Sequence, residues 1–145
     1  MKSLPDLLLL IHLAATLLMT GVIWFVQVVH YPLLSAVGRS EFPSYAKQHA
    51  RLTTWIVAPP MLVELASALL LFWIRPAEIS TGSLSVGFSL LALIWISTAL
   101  IQVPYHGVLQ RGFDPAVHRR LVRTNWVRTV AWSLRGLLVL WMVLW

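Results

Sequence analysis

The chain has 145 residues, of which 59% are hydrophobic and only 11% charged, and its net charge is +6 at neutral pH. A soluble domain carries roughly a quarter charged residues, so this composition excludes an ordinary soluble protein and predicts an integral membrane protein. The chain contains no cysteine. Disulfides, thiolate metal sites and cysteine nucleophiles are therefore excluded as well.

Four apolar segments are long enough to cross a bilayer, which requires roughly 20 mostly apolar residues in a helix. They cover about residues 7–31, 52–74, 84–108 and 124–145. Short connections make neighbouring helices antiparallel. The sequence therefore predicts an all-α fold, a single four-transmembrane-helix domain over residues 1–145, arranged as an up-down four-helix bundle.

Basic residues are concentrated in the first and third connections, which carry seven Lys or Arg against two at the opposite face. The positive-inside rule then places the two basic connections in the cytoplasm and both termini outside it. We expect a bacterial inner (plasma) membrane and no nucleic-acid partner, since the basic residues serve as a topology signal. The residues of the two basic connections are Arg39, Lys47, Arg51, Arg111, Arg119, Arg120 and Arg123, and those of the other face are Lys2 and Arg75.

Tryptophans fall near both expected membrane boundaries, where their amphipathic rings anchor helices. Trp73, Trp141 and Trp145 lie near the outer boundary, and Trp55 and Trp126 near the inner one. Most of the tryptophan content is therefore interpreted as membrane anchoring.

Polar side chains within the membrane are costly, so they usually face the bundle interior or mark a site. Up-down topology brings eight of them to the cytoplasmic end, beside Pro59, Pro60 and Pro104, which we expect to interrupt their helices. Polar side chains and interrupted helices at the membrane–water interface together predict a pocket. The eight residues are Gln27, His30, His49, Arg51, Gln102, His106, Asn125 and Arg128.

Glu64 and Arg135 lie deeper, at depths that match within one helical turn. A facing pair neutralises two charges that would be costly alone, so we expect a buried structural ion pair. The alternative makes Glu64 a proton acceptor at the floor of the pocket. His12 is predicted near the outer face, away from the other histidines, and His118 is predicted to be solvated.

Three interpretations of the pocket remain open. His30, His49 and His106 are tentative metal ligands, for iron, haem iron or copper, although no ligand-spacing motif links them. Alternatively, histidine acid/base catalysis without a cofactor acts on a hydrophobic aromatic or isoprenoid-like substrate, with arginines holding an anion. The third interpretation is a non-catalytic accessory subunit of a larger membrane complex, or a homo-oligomer, whose polar residues fix helix register.

The segments VPYHGVL, at Val103–Leu109, and NWVRT, at 125–129, resemble the anthrone-oxygenase-like family of small four-helix membrane proteins. That family tends to show Pro-x-Asn-x-x-Leu after the third helix and Asn-x-x-Arg opening the fourth. The chain has histidine in place of the first asparagine and lacks the tryptophan usual before the second motif. The resemblance implies oxidation of an aromatic, polyketide-like substrate. By position it points to Pro104, His106, Leu109, Asn125 and Arg128.

These observations favour a membrane oxidoreductase or oxygenase-like protein. We assign catalytic roles to His106, His30, Arg128 and Asn125. Substrate-binding roles are assigned to Gln27, His49, Arg51 and Gln102.

Overall fold

A computed structural model describes residues 3–144 as four long helices that pack together. We name them α1 (Leu4–Ala36), α2 (Phe42–Leu70), α3 (Thr81–Leu109) and α4 (Pro115–Leu144), and each is long and apolar enough to cross a membrane. The all-α four-helix bundle predicted from the sequence is thus confirmed. Lys2 and Trp145, which entered the orientation and anchoring predictions, lie outside the described residues.

The helices extend beyond the apolar segments, so the predicted boundaries need correction. α2 begins at Phe42 rather than near residue 52, and α4 begins at Pro115 rather than near residue 124. Hydropathy locates only the bilayer-spanning part of a helix. Polar turns continue beyond it, and the long polar connections expected there shrink to residues 37–41 and 110–114. The other ends shift less, with α3 beginning at Thr81 and α2 ending at Leu70.

Side chains cap three of the helices at their N-termini. Ser3 and Asp6 form a reciprocal capping box at α1, and Ser80 accepts a hydrogen bond from the Ser83 backbone N–H at α3. Asp114 accepts from the backbone N–H groups of the first turn of α4. Such caps satisfy donors that the helix leaves unpaired, which explains why these helices start where they do.

Packing is antiparallel between successive neighbours. α1 packs against α2 and α4, and α3 packs against α4, whereas α2 and α3 contact each other less extensively. Hydrogen bonds cross each main interface, for example His12 to Ser67 between α1 and α2 and Gln102 to Thr124 between α3 and α4. The looser α2–α3 contact leaves the space that the candidate site occupies.

Two π-helical turns interrupt the bundle near one end, at Val26–His30 in α1 and Thr98–Gln102 in α3. Each precedes a proline, Pro32 or Pro104, by a few residues. Proline has no N–H and its ring collides with the carbonyl four residues earlier. That carbonyl lies inside the π-helical turn in both helices, so the wider turn accommodates the proline without ending the helix.

Pro59 and Pro60 do not interrupt α2, contrary to the expectation from sequence. Both lie inside the continuous α-helix Phe42–Leu70. In a membrane, neighbouring helices and local adjustments can support a proline inside a helix. Helix α2 therefore passes the site as one element.

Large apolar side chains cover the outside of the bundle. Trp55, Trp73, Leu100 and Leu144 are each more than 70% exposed. A soluble protein rarely exposes apolar patches on this scale, so the surface requires lipid. The chain is a membrane protein.

Candidate functional site

An internal cavity of about 510 Å³, partly open to the surface of the bundle, lies where α2 and α3 diverge, and residues of all four helices line it. Its lining is mainly apolar, with Met19, Ile23, Val57 and Met61 toward the middle of the bundle. Polar side chains are concentrated toward the end of the bundle that carries the two basic connections. They are Tyr31, Thr53, Thr54, Thr98, Gln102, His106, Gln110 and Arg128. Apolar cavities with a few polar groups are the usual form of small-molecule sites.

Tyr31 and His106 form the most direct polar contact in this cavity. The Tyr31 hydroxyl lies 3.0 Å from His106 Nε2. Tyr31 is buried at 3% exposure, and its hydroxyl also interacts with the Arg128 guanidinium. A phenol between an imidazole and a guanidinium can relay a proton to the histidine. The three side chains therefore make an acid/base group from α1, α3 and α4.

Arg128 is buried without a carboxylate partner. Its guanidinium carbon lies 5.3 Å from the centre of the Trp132 ring, a cation–π contact. Its Nε has no hydrogen-bond partner among the described residues, and only 8% of the residue is exposed. Within residues 3–144, the salt bridge joins a different pair, Glu64 and Arg135.

His30 and His49 stack on each other at the α1–α2 seam. Their ring centres are 4.2 Å apart and their Nε2 atoms 3.2 Å apart. They line a second, more open groove that shares Val22, Val26, Thr53 and Val57 with the internal cavity. The two histidines thus line a neighbouring groove, and the ring centres of His30 and Tyr31 are 6.0 Å apart.

The three predicted histidine ligands lie near one another but are not arranged to hold a metal. His49 and His106 have ring centres 6.0 Å apart. Each Nε2 atom already has a partner: His30 and His49 pair together, and His106 pairs with Tyr31. Within residues 3–144, no group of three or more His, Cys, Asp or Glu is placed so that it could hold a metal ion. The residues do not fit the tentative metal or haem site in this arrangement.

Gln27, Asn125 and Gln102 tie helices together rather than standing free in the cavity. Asn125 Nδ2 donates to Gln27 Oε1 at 2.9 Å, and Gln27 Nε2 donates to the Val122 carbonyl. Gln102 Nε2 donates to Thr124 at 3.1 Å while its side chain borders the cavity. Asn125 is fully buried and is not among the residues lining the cavity.

A separate network surrounds Glu64 deeper in the bundle. Its carboxylate accepts hydrogen bonds from Thr16 at 2.9 Å, from Trp132 Nε1 at 3.0 Å and from Arg135 Nε at 3.0 Å. Arg135 also donates to the Gly87 carbonyl and contacts His12 Nε2. Glu64 and Arg135 therefore form the buried ion pair expected from their depths. His12 belongs to this network, apart from the other site histidines.

Arg51 and His118 do not lie where the sequence places them. Arg51 is exposed on α2 and does not line the cavity. Arg51 lies on the outward face of α2, so a matching depth in the membrane is not enough to place a residue in the cavity. His118, expected to be solvated, is buried, and its Nε2 N–H donates to the Tyr31 carbonyl at 2.8 Å. His118 thereby adds a hydrogen bond to a backbone carbonyl near the end of α1.

Sequence reasoning missed Tyr31, Trp95 and Trp132. Tyr31 follows His30 directly, and its four-residue spacing from Gln27 would have indicated the shared buried face. Trp132 is not among the tryptophans that the sequence places at the membrane boundaries, and no role is predicted for it. Nothing in the sequence separates it from them, although it is fully buried.

Comparisons with protein-family models, curated proteins and solved structures give no match to this chain. Functional conclusions therefore depend on the geometry of the cavity.

Proposed function

We propose that this membrane protein acts as an oxidoreductase or oxygenase-like enzyme on a hydrophobic, aromatic or isoprenoid-like molecule held in the internal cavity. The observation that carries the proposal is the Tyr31–His106–Arg128 group at the polar end of an otherwise apolar cavity. The resemblance of 103–109 and 125–129 to the anthrone-oxygenase-like family agrees with this reaction class.

Each of the three side chains has its own role in the proposed reaction. His106 accepts a proton from an acidic C–H or O–H of the substrate, directly or through the Tyr31 hydroxyl, since the two groups are hydrogen-bonded. Arg128 stabilises the resulting anion. Dioxygen is the oxidant: a CH₂ group becomes a carbonyl, one oxygen atom enters the substrate, and the other leaves as water with the two hydrogens. Gln102 and the apolar walls orient the molecule.

Oxygen uptake by the purified protein in lipid nanodiscs tests this function, with anthrone as the probe. We expect uptake above that of empty nanodiscs, its loss in His106→Ala, and a large reduction in Tyr31→Phe, which keeps the ring and removes the hydroxyl. The thermal unfolding midpoint of each variant should stay near that of the unsubstituted protein. Anthrone turnover that is unchanged in His106→Ala would overturn the assignment.

An accessory or structural role is the alternative, and the Glu64 network favours it because that network is satisfied internally. If His106 only joins helices, His106→Ala should lower the unfolding midpoint without a separate functional loss. Orientation and membrane type also belong to this proposal: both termini lie outside the cytoplasm of a bacterial inner membrane. The basic residues at one end of the bundle support that orientation.

A further inference from the structure

Two arginines on α4, seven residues apart, have contrasting surroundings. Arg135 is 1% exposed and has the Glu64 carboxylate, the Gly87 carbonyl and His12 as partners. Arg128 is also buried but has the Trp132 ring and the neutral Tyr31 hydroxyl. A buried charge normally has a counter-ion or a full set of hydrogen bonds. By that standard, Arg135 is satisfied and Arg128 is not.

The cavity beside Arg128 contains no acid that could supply the counter-charge. Its lining residues, all within the described part of the chain, include neither Asp nor Glu. The one buried carboxylate nearby, Glu64, already accepts three hydrogen bonds, one of them from Arg135. The positive charge of Arg128 therefore has no protein anion within the cavity lining.

Two further residues that line the cavity keep unused hydrogen-bonding capacity. Trp95 Nε1 and Gln102 Oε1 are buried polar atoms without a partner in the described chain. Buried polar atoms are nearly always paired in native proteins. With Arg128 Nε, they are three unpaired buried atoms on residues that line the cavity: two donors, of the kind that a carboxylate accepts from, and one acceptor, which a carboxylate does not satisfy.

We propose that the cavity binds a lipophilic carboxylate, with its head group on Arg128 and its apolar body along Met19, Val57 and Met61. A guanidinium matches the two oxygens of a carboxylate, and a single arginine balances a monoanion rather than a phosphate dianion. The cavity volume of about 510 Å³ lies within the range of small-molecule sites. The inference goes beyond the proposed function, because a carboxylate bound to Arg128 would take the place of the reaction anion that Arg128 stabilises there.

Equilibrium binding to the protein in nanodiscs tests the inference, with empty nanodiscs subtracted. The probes are radiolabelled dodecanoate, dodecanol and dodecyl phosphate, which share one chain and differ in head charge. We expect dodecanoate to bind at least about tenfold more tightly than dodecanol, as expected for one charge-assisted pairing. Equal binding of dodecanoate and dodecanol, or tighter binding of dodecyl phosphate than of dodecanoate, would overturn the inference.

Substitution of Arg128 tests whether this residue causes the preference for dodecanoate over dodecanol. In Arg128→Gln we expect dodecanoate affinity to fall to that of dodecanol, whose own affinity stays the same. Arg128→Lys, which keeps the charge, retains a reduced preference and serves if the glutamine variant does not fold. Arg123→Gln is the matched control, because Arg123 lies on the same helix but is exposed and does not line the cavity. A preference that survives in Arg128→Gln contradicts the assignment.

Binding and turnover separate this inference from the proposed function. Dodecanoate preference without oxygen uptake would support the carboxylate site and count against the oxygenase. Oxygen uptake without dodecanoate preference would support the oxygenase and count against the carboxylate site.

Discussion

Glu64 shows how a single residue can determine the polar interior of the bundle. Glu64 belongs to α2, and its fully buried carboxylate accepts hydrogen bonds from three side chains on two other helices, Thr16 on α1 and Trp132 and Arg135 on α4. Removing one partner of a buried ion pair leaves an uncompensated charge. The pair therefore has greater consequences when broken than its net contribution to stability suggests.

Glu64→Gln should destabilise the protein by about 3–5 kcal/mol, because it removes the counter-charge of Arg135 while preserving side-chain shape. Equilibrium unfolding of the protein in mixed micelles measures the loss. Thr16→Val is the control, since it removes one hydrogen bond to the same carboxylate. A membrane interhelical hydrogen bond contributes about 0.6 kcal/mol on average, so equal losses in the two variants would contradict the ion-pair account.

At the scale of elements, helix α4 shows that a helix can begin well before the apolar segment that a hydropathy pattern detects. Its first turns carry Arg119, Arg120 and Arg123, so a hydropathy window excludes them. The structure nevertheless begins the helix at Pro115, behind an Asp114 cap. Proline at the first helical position and aspartate before it are typical helix-start residues, and together they would have located this boundary.

The Asp114 cap makes the start of α4 pH-sensitive. The backbone N–H groups of Val117 and Ala116, at 3.0 and 2.7 Å, lower the pKa of Asp114 below its usual value of 3.8. A lowered pKa in the folded state means that the stabilisation is present above the usual value and is lost as pH falls through the lowered one.

Amide hydrogen exchange at Ala116 and Val117 should therefore show constant protection from neutral pH down to about pH 4, and a loss at lower pH. Asp114→Asn keeps an acceptor oxygen but does not titrate, so its protection at these amides should not change over the same range. Identical pH profiles for the two proteins would refute a role for the carboxylate.

Sequence alone predicted the number and type of helices, because bilayer-spanning apolar runs are long and distinct. It also predicted that Gln27, His30, His49 and His106 lie at one end of the bundle. It could not predict which faces these side chains take, since a π-helical turn in α1 and another in α3 shift the regular spacing. Buried residues on α3 show the shift directly, because Gln102 follows Ser97 by five positions rather than three or four.

At the scale of the whole molecule, charge and apolar surface are separated. The sides are apolar, and the basic residues gather at the end that holds the connections 37–41 and 110–114. Arg75, at the other end, is engaged locally, where it donates to the Ile79 and Phe72 carbonyls and to Thr81. A bundle with one basic end can be oriented in a membrane by that end alone.

The natural absence of cysteine makes this orientation straightforward to test. Gly38→Cys and Gly112→Cys place single thiols in the two basic connections, where a Cβ added to the glycine meets no atom of the described residues within 4 Å apart from its chain neighbours. Ala77→Cys places one at the opposite end, at an exposed position. In intact bacterial cells, a membrane-impermeant maleimide should label only the Ala77→Cys protein. Labelling of the other two instead would reverse the topology.

The two π-helical turns have a consequence for how the chain tolerates changes in length. Each behaves as one surplus residue absorbed within a continuous helix. Removing one residue from such a turn would therefore restore a regular α-helical turn and keep the segment beyond it in phase, whereas removing one residue from a regular turn would rotate everything beyond it by about 100°. Tyr31 lies just past one of these turns and His106 just past the other. Their hydrogen bond therefore depends on the rotational phase of two helices at once, and a deletion in a regular turn of either helix alone would take the pair out of phase while leaving most of the bundle intact.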